Sequence, residues 1–266
     1  MQQPFGWTGA PVAIVGQGTW KIGAGSEVVA AIRRGLDLGM THVDTAELYT
    51  GAEDMLGEAL AGRRDEVFLV SKVMPRNASR AGTVAACERS LKRLRTDRLD
   101  AYLLHWLDRS VNLAEAMAGM RDLVAAGKVR HVGVSNFGVR GLVAAQQALG
   151  DVRLATNQVL YHLGDRLIER DVVPWCEANG VAVVGYTPFG NGFYDEESKP
   201  WRVLQQVGAR HGRTPRQVAL AFLTRRPSLF AIPKASTVAH VEENAGGQGF
   251  ELTARDLAEI DEAFPL

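Results

Sequence analysis

Seven apolar, strand-like runs recur along this chain, and each ends in a polar or aromatic residue of chemical use. In order they are HVD ending at Asp44, VFLVSK at Lys72, LDAYLLH at His105, VRHVGVSN at Ser135 and Asn136, LATNQ at Gln158, VAVVGY at Tyr186 and LFAIPK at Lys234. Helix-like segments separate them. EVVAAIRRGLDLG (27–39) repeats its apolar residues at helical spacing, with Ser26 as the expected N-cap and Gly39 as the stop. AEDMLGEALAG reads as the next helix, and others are expected at 79–95, 112–126, 138–149, 165–179, 200–211, 215–226, 237–245 and 253–262, the last opened by Thr253.

Alternation on this scale implies parallel strands joined by helical crossovers. PVAIVGQGTW completes a count of eight strands. The expected fold is therefore α/β, a single (β/α)8 TIM barrel over residues 1–266. The length suits one such barrel, and no boundary rich in Pro, Ser or charge divides the chain. A doubly wound open sheet shows the same alternation and is the rival architecture. In a barrel the C-terminal strand ends share one face, so residues remote in sequence meet there, and that face carries the active site.

Composition narrows the setting. The 30 basic and 30 acidic residues cancel, so no bulk charge draws the chain to nucleic acid or to an anionic membrane. The two cysteines, Cys87 and Cys176, form no CxxC pair, which argues against disulfides and a structural zinc. The start, MQQPFGWTGAPVA, lacks the regions of a signal peptide, and no run approaches the ~20 apolar residues of a membrane span. A cytoplasmic monomer acting on a small molecule is expected. Lysine is scarce, six against 24 arginines, yet Lys72 and Lys234 both end apolar strands. Burial can tune the pKa of a lysine but not that of an arginine.

Asp44, Tyr49, Lys72 and His105 form a chemically coherent set. A free tyrosine, with a pKa of about 10, is a poor acid near neutrality. A nearby ammonium stabilises the phenolate and is expected to lower that value. Asp44 can hold Lys72 charged, and His105 can hydrogen-bond a carbonyl oxygen. Such a set protonates a carbonyl oxygen while hydride reaches its carbon. No amino acid donates hydride, so a cofactor must.

In these residues the chain resembles the aldo/keto reductases. The resemblance rests on VDTAELY (43–49), SK (71–72), LDAYLLHW (99–106), GKVRHVGVSNF (127–137), NQ (157–158), YTPFG (186–190) and IPKAS (232–236), in family order over nearly the whole chain. It implies a (β/α)8 barrel that reduces aldehydes or ketones with NADPH, NADH being the second candidate. It further implies Tyr49 as general acid, Lys72 and Asp44 as its tuners, and His105 as the group that orients the carbonyl. Ser135, Asn136 and Gln158 would bind the nicotinamide amide, Tyr186 would stack on its ring, and Thr187 and Pro188 would continue the cofactor site. Lys234 and Ser236 would meet the adenosine phosphate, with Glu243 and Asn244 at the adenine. The family often has arginine where this chain has His240, and an imidazole is not the permanent cation that a guanidinium is. Weaker discrimination against NADH is the expected consequence. Trp20, Trp106 and Phe189 would wall the substrate pocket. The 187–199 loop and the C-terminal tail are short for the family, so a fairly open pocket is expected.

Each residue alone has a plainer reading: Asp44 as a turn residue, Tyr49 as a packed aromatic, His105 as a core histidine, Lys72 as a snorkelling side chain. Only their joint order favours chemistry. A cofactor-binding regulatory or redox-sensing barrel, and a metal-dependent barrel hydrolase, are the alternatives. For the hydrolase, His42 and Asp44 make an HxD pair, but His131, His162, His211 and His240 do not fall at strand ends, so no metal is expected. Gly16-Gln17-Gly18-Thr19-Trp20-Lys21 begins like a dinucleotide fingerprint, but lysine stands where the third glycine belongs. Its glycines are expected to turn the backbone at the end of the first strand.

Overall fold

The computed structural model describes residues 1–109, 111–190 and 195–266. Among the described residues ten strands run in chain order: β1 (Gln2–Pro4), β2 (Pro11–Ala13), β3 (Gln17–Gly18), β4 (His42–Asp44), β5 (Phe68–Val73), β6 (Leu99–Leu104), β7 (Val129–Ser135), β8 (Leu154–Leu160), β9 (Ala182–Tyr186) and β10 (Leu229–Ile232). Strands β3 to β10 form one sheet in sequence order, every pair parallel. Parallel bridges Val15–Ala231 and Gly18–Lys234 join its two edges. The order never reverses and the edges meet, so the sheet is a closed barrel and not a doubly wound one.

The first expected strand divides in two. Pro11–Ala13 leaves the barrel and pairs antiparallel with Gln2–Pro4, while only Gln17–Gly18 pairs with β4. The hairpin plugs the bottom of the barrel: Phe5 is fully buried against Phe68 and Phe230, and beside His42. Gly16 and Gly18 do not turn the chain, as the sequence had suggested. A Cβ at Gly16 would lie 2.5 Å from the His42 carbonyl oxygen, and one at Gly18 2.6 Å from that of Ile232. The chain packs against β4 at Gly16, and the seam to β10 closes at Gly18, only because these positions lack a side chain.

The helices are α1 (Ser26–Asp37), α2 (Ala52–Ala59), α3 (Arg80–Leu94), α4 (Leu113–Ala125), α5 (Val139–Leu149), α6 (Val172–Asn179), α7 (Lys199–His211), α8 (Pro215–Leu223), α9 (Val238–Ala245) and α10 (Ala254–Ala263). Most begin where a side chain caps them: Ser79, Asn112, Ser198, Thr214, Thr237 and Thr253 each accept a first-turn N–H. Ser26 is not a cap; Gly25 holds that position, and Ser26 is the first helical residue. The 165–179 segment is a 3-10 turn (Leu167–Glu169) followed by the shorter α6. Apolar faces of the helices and the outward faces of the strands share one large core, while Val70, Ala101 and Leu103 pack together inside the barrel. Side chains alternate along a strand, so Lys72 follows Val70 and His105 follows Leu103 to the inside. No helix among the described residues is long and apolar enough to cross a membrane.

Candidate active site

A cleft of about 750 Å3 opens where the strands end. At its floor the buried Lys72 ammonium donates to Asp44 Oδ1 at 2.6 Å and to the Thr45 carbonyl at 2.8 Å. Asp44 Oδ2 accepts from Gln158 Nε2 at 2.7 Å, which ties β4 to β8 across the barrel. Burial is the largest influence on Lys72 and lowers its pKa, but the adjacent Asp44 carboxylate and Tyr49 together more than offset it and raise the pKa above the ordinary lysine value. Burial likewise lifts the Asp44 carboxyl above its ordinary range, against the pull of Lys72 and the Gln158 amide.

Tyr49 lies beyond β4 in a turn whose N–H bonds to the Ala46 carbonyl. Glu47 anchors this turn, its carboxylate accepting from the Met74 N–H at 2.6 Å and from Asn77 Nδ2 at 3.0 Å. The Tyr49 ring sits 5.1 Å from the Lys72 ammonium and 5.7 Å, edge-on, from His105. Its pKa is raised, not lowered as expected. Burial is the largest cause and Asp44 adds to it, while Lys72 offsets them only in part. The physical reason is that desolvation of the buried phenolate outweighs the attraction of Lys72, part of which Asp44 cancels. The phenol therefore keeps its proton throughout the neutral range.

His105 is pushed down to about 3 by burial and by the Lys72 charge, so its ring is neutral. Its Nδ1 is buried without a hydrogen-bond partner, which leaves Nε2 as the nitrogen that can serve the cleft. His42, two residues before Asp44 and on the same side, is also pushed down to about 3, chiefly by burial. Phe5, Phe68 and Phe230 surround it, and it packs the barrel floor. Among the described residues no three His, Cys, Asp or Glu side chains gather as metal ligands.

The later strands build the other wall. Asn136 Nδ2 donates to the His105 carbonyl at 3.2 Å and to Ser135 Oγ at 3.1 Å, and its Oδ1 accepts from the Tyr186 hydroxyl at 2.8 Å. Asn136 (φ 64°) and Thr187 (φ 57°) adopt the left-handed region that side chains rarely occupy, as does Lys21 (φ 52°). All three line the cleft, together with Ser135, Gln158, Tyr186, Pro188 and Lys234. Backbone held in such regions concentrates at binding sites. Trp20, Trp106 and Phe189 line it too, Trp20 standing half-exposed at the mouth.

Other expected cofactor residues lie outside this lining. Ser236 is 3.5 Å from the Lys234 ammonium. His240 is exposed on the first turn of α9, which Thr237 caps. The Glu243 carboxylate accepts from Thr214 Oγ1 at 3.1 Å, and Asn244 is buried. Of the 187–199 loop, residues 191–194 lie outside the described residues. Sequence reasoning missed Thr19, Lys21, Leu48, Leu160 and Arg216, which also line the cleft. Arg216 sits on a helix start, and no local pattern marks it.

The aldo/keto reductase family pattern matches residues 15–264. Methylglyoxal reductase YeaE of Escherichia coli (strain K12) is 44% identical over 263 residues, covering 94% of this chain and 90% of that protein. Glyoxal reductase of Bacillus subtilis (strain 168) is 31% identical over 251 residues, covering 92% and 87%. An aldo/keto reductase from Klebsiella pneumoniae, solved with NADP and acetate, superposes with a TM-score of 0.89 at 40% identity, covering 99% of this chain and 95% of that one. The chain belongs to the aldo/keto reductase family and is an oxidoreductase that reduces carbonyl groups with a nicotinamide cofactor.

Proposed function

We propose that this protein reduces short 2-oxoaldehydes of the methylglyoxal type with NADPH, and that Tyr49 supplies the proton. The observation that carries the proton assignment is the Asp44–Lys72–Tyr49–His105 cluster at the floor of one cleft. The choice of substrate rests on the 44% identity to a methylglyoxal reductase. The open mouth beside Trp20 and Trp106 suits a small substrate.

The residues fit a dinucleotide. At about 750 Å3 the cleft lies within the usual range of ligand sites, and its lining includes the Asn136 and Gln158 amides, the Tyr186 ring and the cations Lys234 and Arg216. Ser135, Asn136 and Gln158 would take the carboxamide, Tyr186 the ring face, and Lys234 with Ser236 the adenosine-side phosphate. When bound, the reduced nicotinamide supplies the hydride that no side chain can.

The chain's own residues do the rest. Neutral His105 donates a hydrogen bond through Nε2 to the carbonyl oxygen and fixes its orientation. Tyr49 gives its hydroxyl proton to that oxygen as negative charge develops there. The phenolate left behind faces the Lys72 ammonium, which stabilises it, and Asp44 and the Thr45 carbonyl keep that ammonium aimed. A raised phenol pKa keeps the proton in place until charge arrives at the substrate oxygen. We read the protein as a monomer whose cleft is complete within one chain.

The test is NADPH oxidation against methylglyoxal, glyoxal, aromatic aldehydes, sugars and diketones. The 2-oxoaldehydes should give the highest kcat/KM, and Tyr49→Phe should bind NADPH normally while losing about 10²–10⁴-fold in turnover. Full turnover in that variant removes Tyr49 as the acid. A preference for sugars removes the substrate assignment.

A further inference from the structure

We propose that Arg216 is a phosphate-binding residue for the dinucleotide, supplying with Lys234 the permanent charge that His240 does not bring to the cleft. The inference rests on the reading that NADPH lies in this cleft.

Among the described residues three cations line the cleft: Lys21, Arg216 and Lys234. The carboxylate in the same lining is Asp44, and Lys72 already satisfies it at 2.6 Å. The chain as a whole is neutral, so this positive excess is local. It gathers at the barrel seam, where Gly18 bridges Lys234 and the Gly18 N–H donates to the Pro233 carbonyl at 3.0 Å. Lys21 follows Gly18 by three residues, while Arg216 reaches the cleft from the start of α8.

Arg216 is placed to bind and is lightly committed elsewhere. Its guanidinium lies 5.6 Å from the Phe189 ring centroid, which orients the planar fork at the wall. Its ion pair with Glu196 is loose, 3.6 Å, and both side chains are largely exposed, 45% and 65%. Exposed pairs of this kind contribute little and exchange readily for a better anion. A phosphate is such an anion, because two parallel N–H groups match its oxygens. α8 also holds α9 directly: Gln217 Nε2 donates to the Glu243 carbonyl at 3.0 Å, and Thr214 Oγ1 to its carboxylate at 3.1 Å. Arg216 therefore stands beside the helix that carries His240, but inside the cleft, whereas His240 is not part of the lining. The charge expected on α9 is offered by its neighbour.

The experiment titrates the full-length protein with NADPH and with NADH, following protein fluorescence, for wild type, Arg216→Ala, Arg216→Lys and His240→Ala. Arg216→Ala should weaken NADPH about tenfold or more, and Arg216→Lys by less, since it keeps the charge and loses the fork. His240→Ala should change either cofactor by under about twofold, as an exposed side chain outside the site would. A loss confined to NADPH assigns Arg216 to the 2′-phosphate; an equal loss for both cofactors assigns it to the pyrophosphate. Either supports the proposal, and in both the NADPH affinity of Arg216→Ala should depend less steeply on salt than that of wild type. Unchanged affinity for both cofactors in Arg216→Ala overturns it, as does a larger loss in His240→Ala. Failure of the wild type to bind either cofactor would instead remove the reading of the cleft itself, and the proposal with it.

Discussion

Lys72 and Lys234 occupy equivalent places, each at the end of an apolar strand that faces one cleft, yet the fold treats them in opposite ways. Lys72 is wholly buried, bonded to Asp44 and to a backbone carbonyl. Lys234 is exposed, with Ser236 Oγ as a distant neighbour at 3.5 Å. The dry end of the cleft, on the function proposed above, holds the proton donor Tyr49 against a fixed charge. The open end offers charge to a ligand that arrives from water. Tuning a proton requires desolvation, because Coulomb terms are strong only where water is excluded. Capturing a phosphate requires a cation that water and ligand can both reach.

Removing each lysine should separate the two ends most sharply. Lys72→Met leaves the Asp44 carboxylate buried and unpaired, which should cost about 3–5 kcal/mol of stability and nearly all turnover. Urea unfolding and NADPH oxidation on the same preparation check both. A variant as stable as wild type would mean that the dry end is wetter than drawn.

Acid tests the dry end in another way. His42 and His105 are held near 3 in the folded state, below the ~6.5 of an unfolded histidine. The unfolded chain therefore takes up protons first as pH falls. The contribution of neutral rings is complete above about pH 6.5 and is lost progressively toward 3, at about 1.4 kcal/mol per pH unit for each ring. Unfolding curves at pH 6, 5 and 4 should approach that slope, and a flat stability over the range would contradict the burial of these rings.

The smallest effect belongs to the open end. Lys234→Met should leave unfolding unchanged and weaken NADPH by about tenfold, with turnover restored at saturating cofactor. Lost turnover at saturation would mean that Lys234 reaches the chemistry, and the contrast between the lysines would fail.

Much of this was legible before the fold. Short apolar runs gave strands β4 to β10, and six of their seven strand ends share one cleft, the seventh, Lys72, lying just beneath it. Capping residues such as Thr253 marked helix starts because their chemistry is local. The first strand divides because an apolar run does not reveal its partner: Pro11–Ala13 pairs with Gln2–Pro4 in a hairpin and not with the barrel. The glycines at 16 and 18 suggest turns from sequence, although their reason is the close approach of the His42 carbonyl on the neighbouring strand and of the Ile232 carbonyl across the seam. Arg216 carried no signal, since what matters is where the start of α8 points and not what surrounds it in the chain.

By itself, then, the sequence determined the order of elements, the family and the residue types gathered at the strand ends, because backbone periodicity and local hydrogen bonding act over a few residues. Only the tertiary structure decided that the barrel closes, that Lys72 is buried while Lys234 is not, that the Tyr49 pKa rises despite its lysine, and that Arg216 faces the cleft in place of His240. Burial and Coulomb energy depend on distances between atoms far apart in the chain, and those distances exist only once the strands have met.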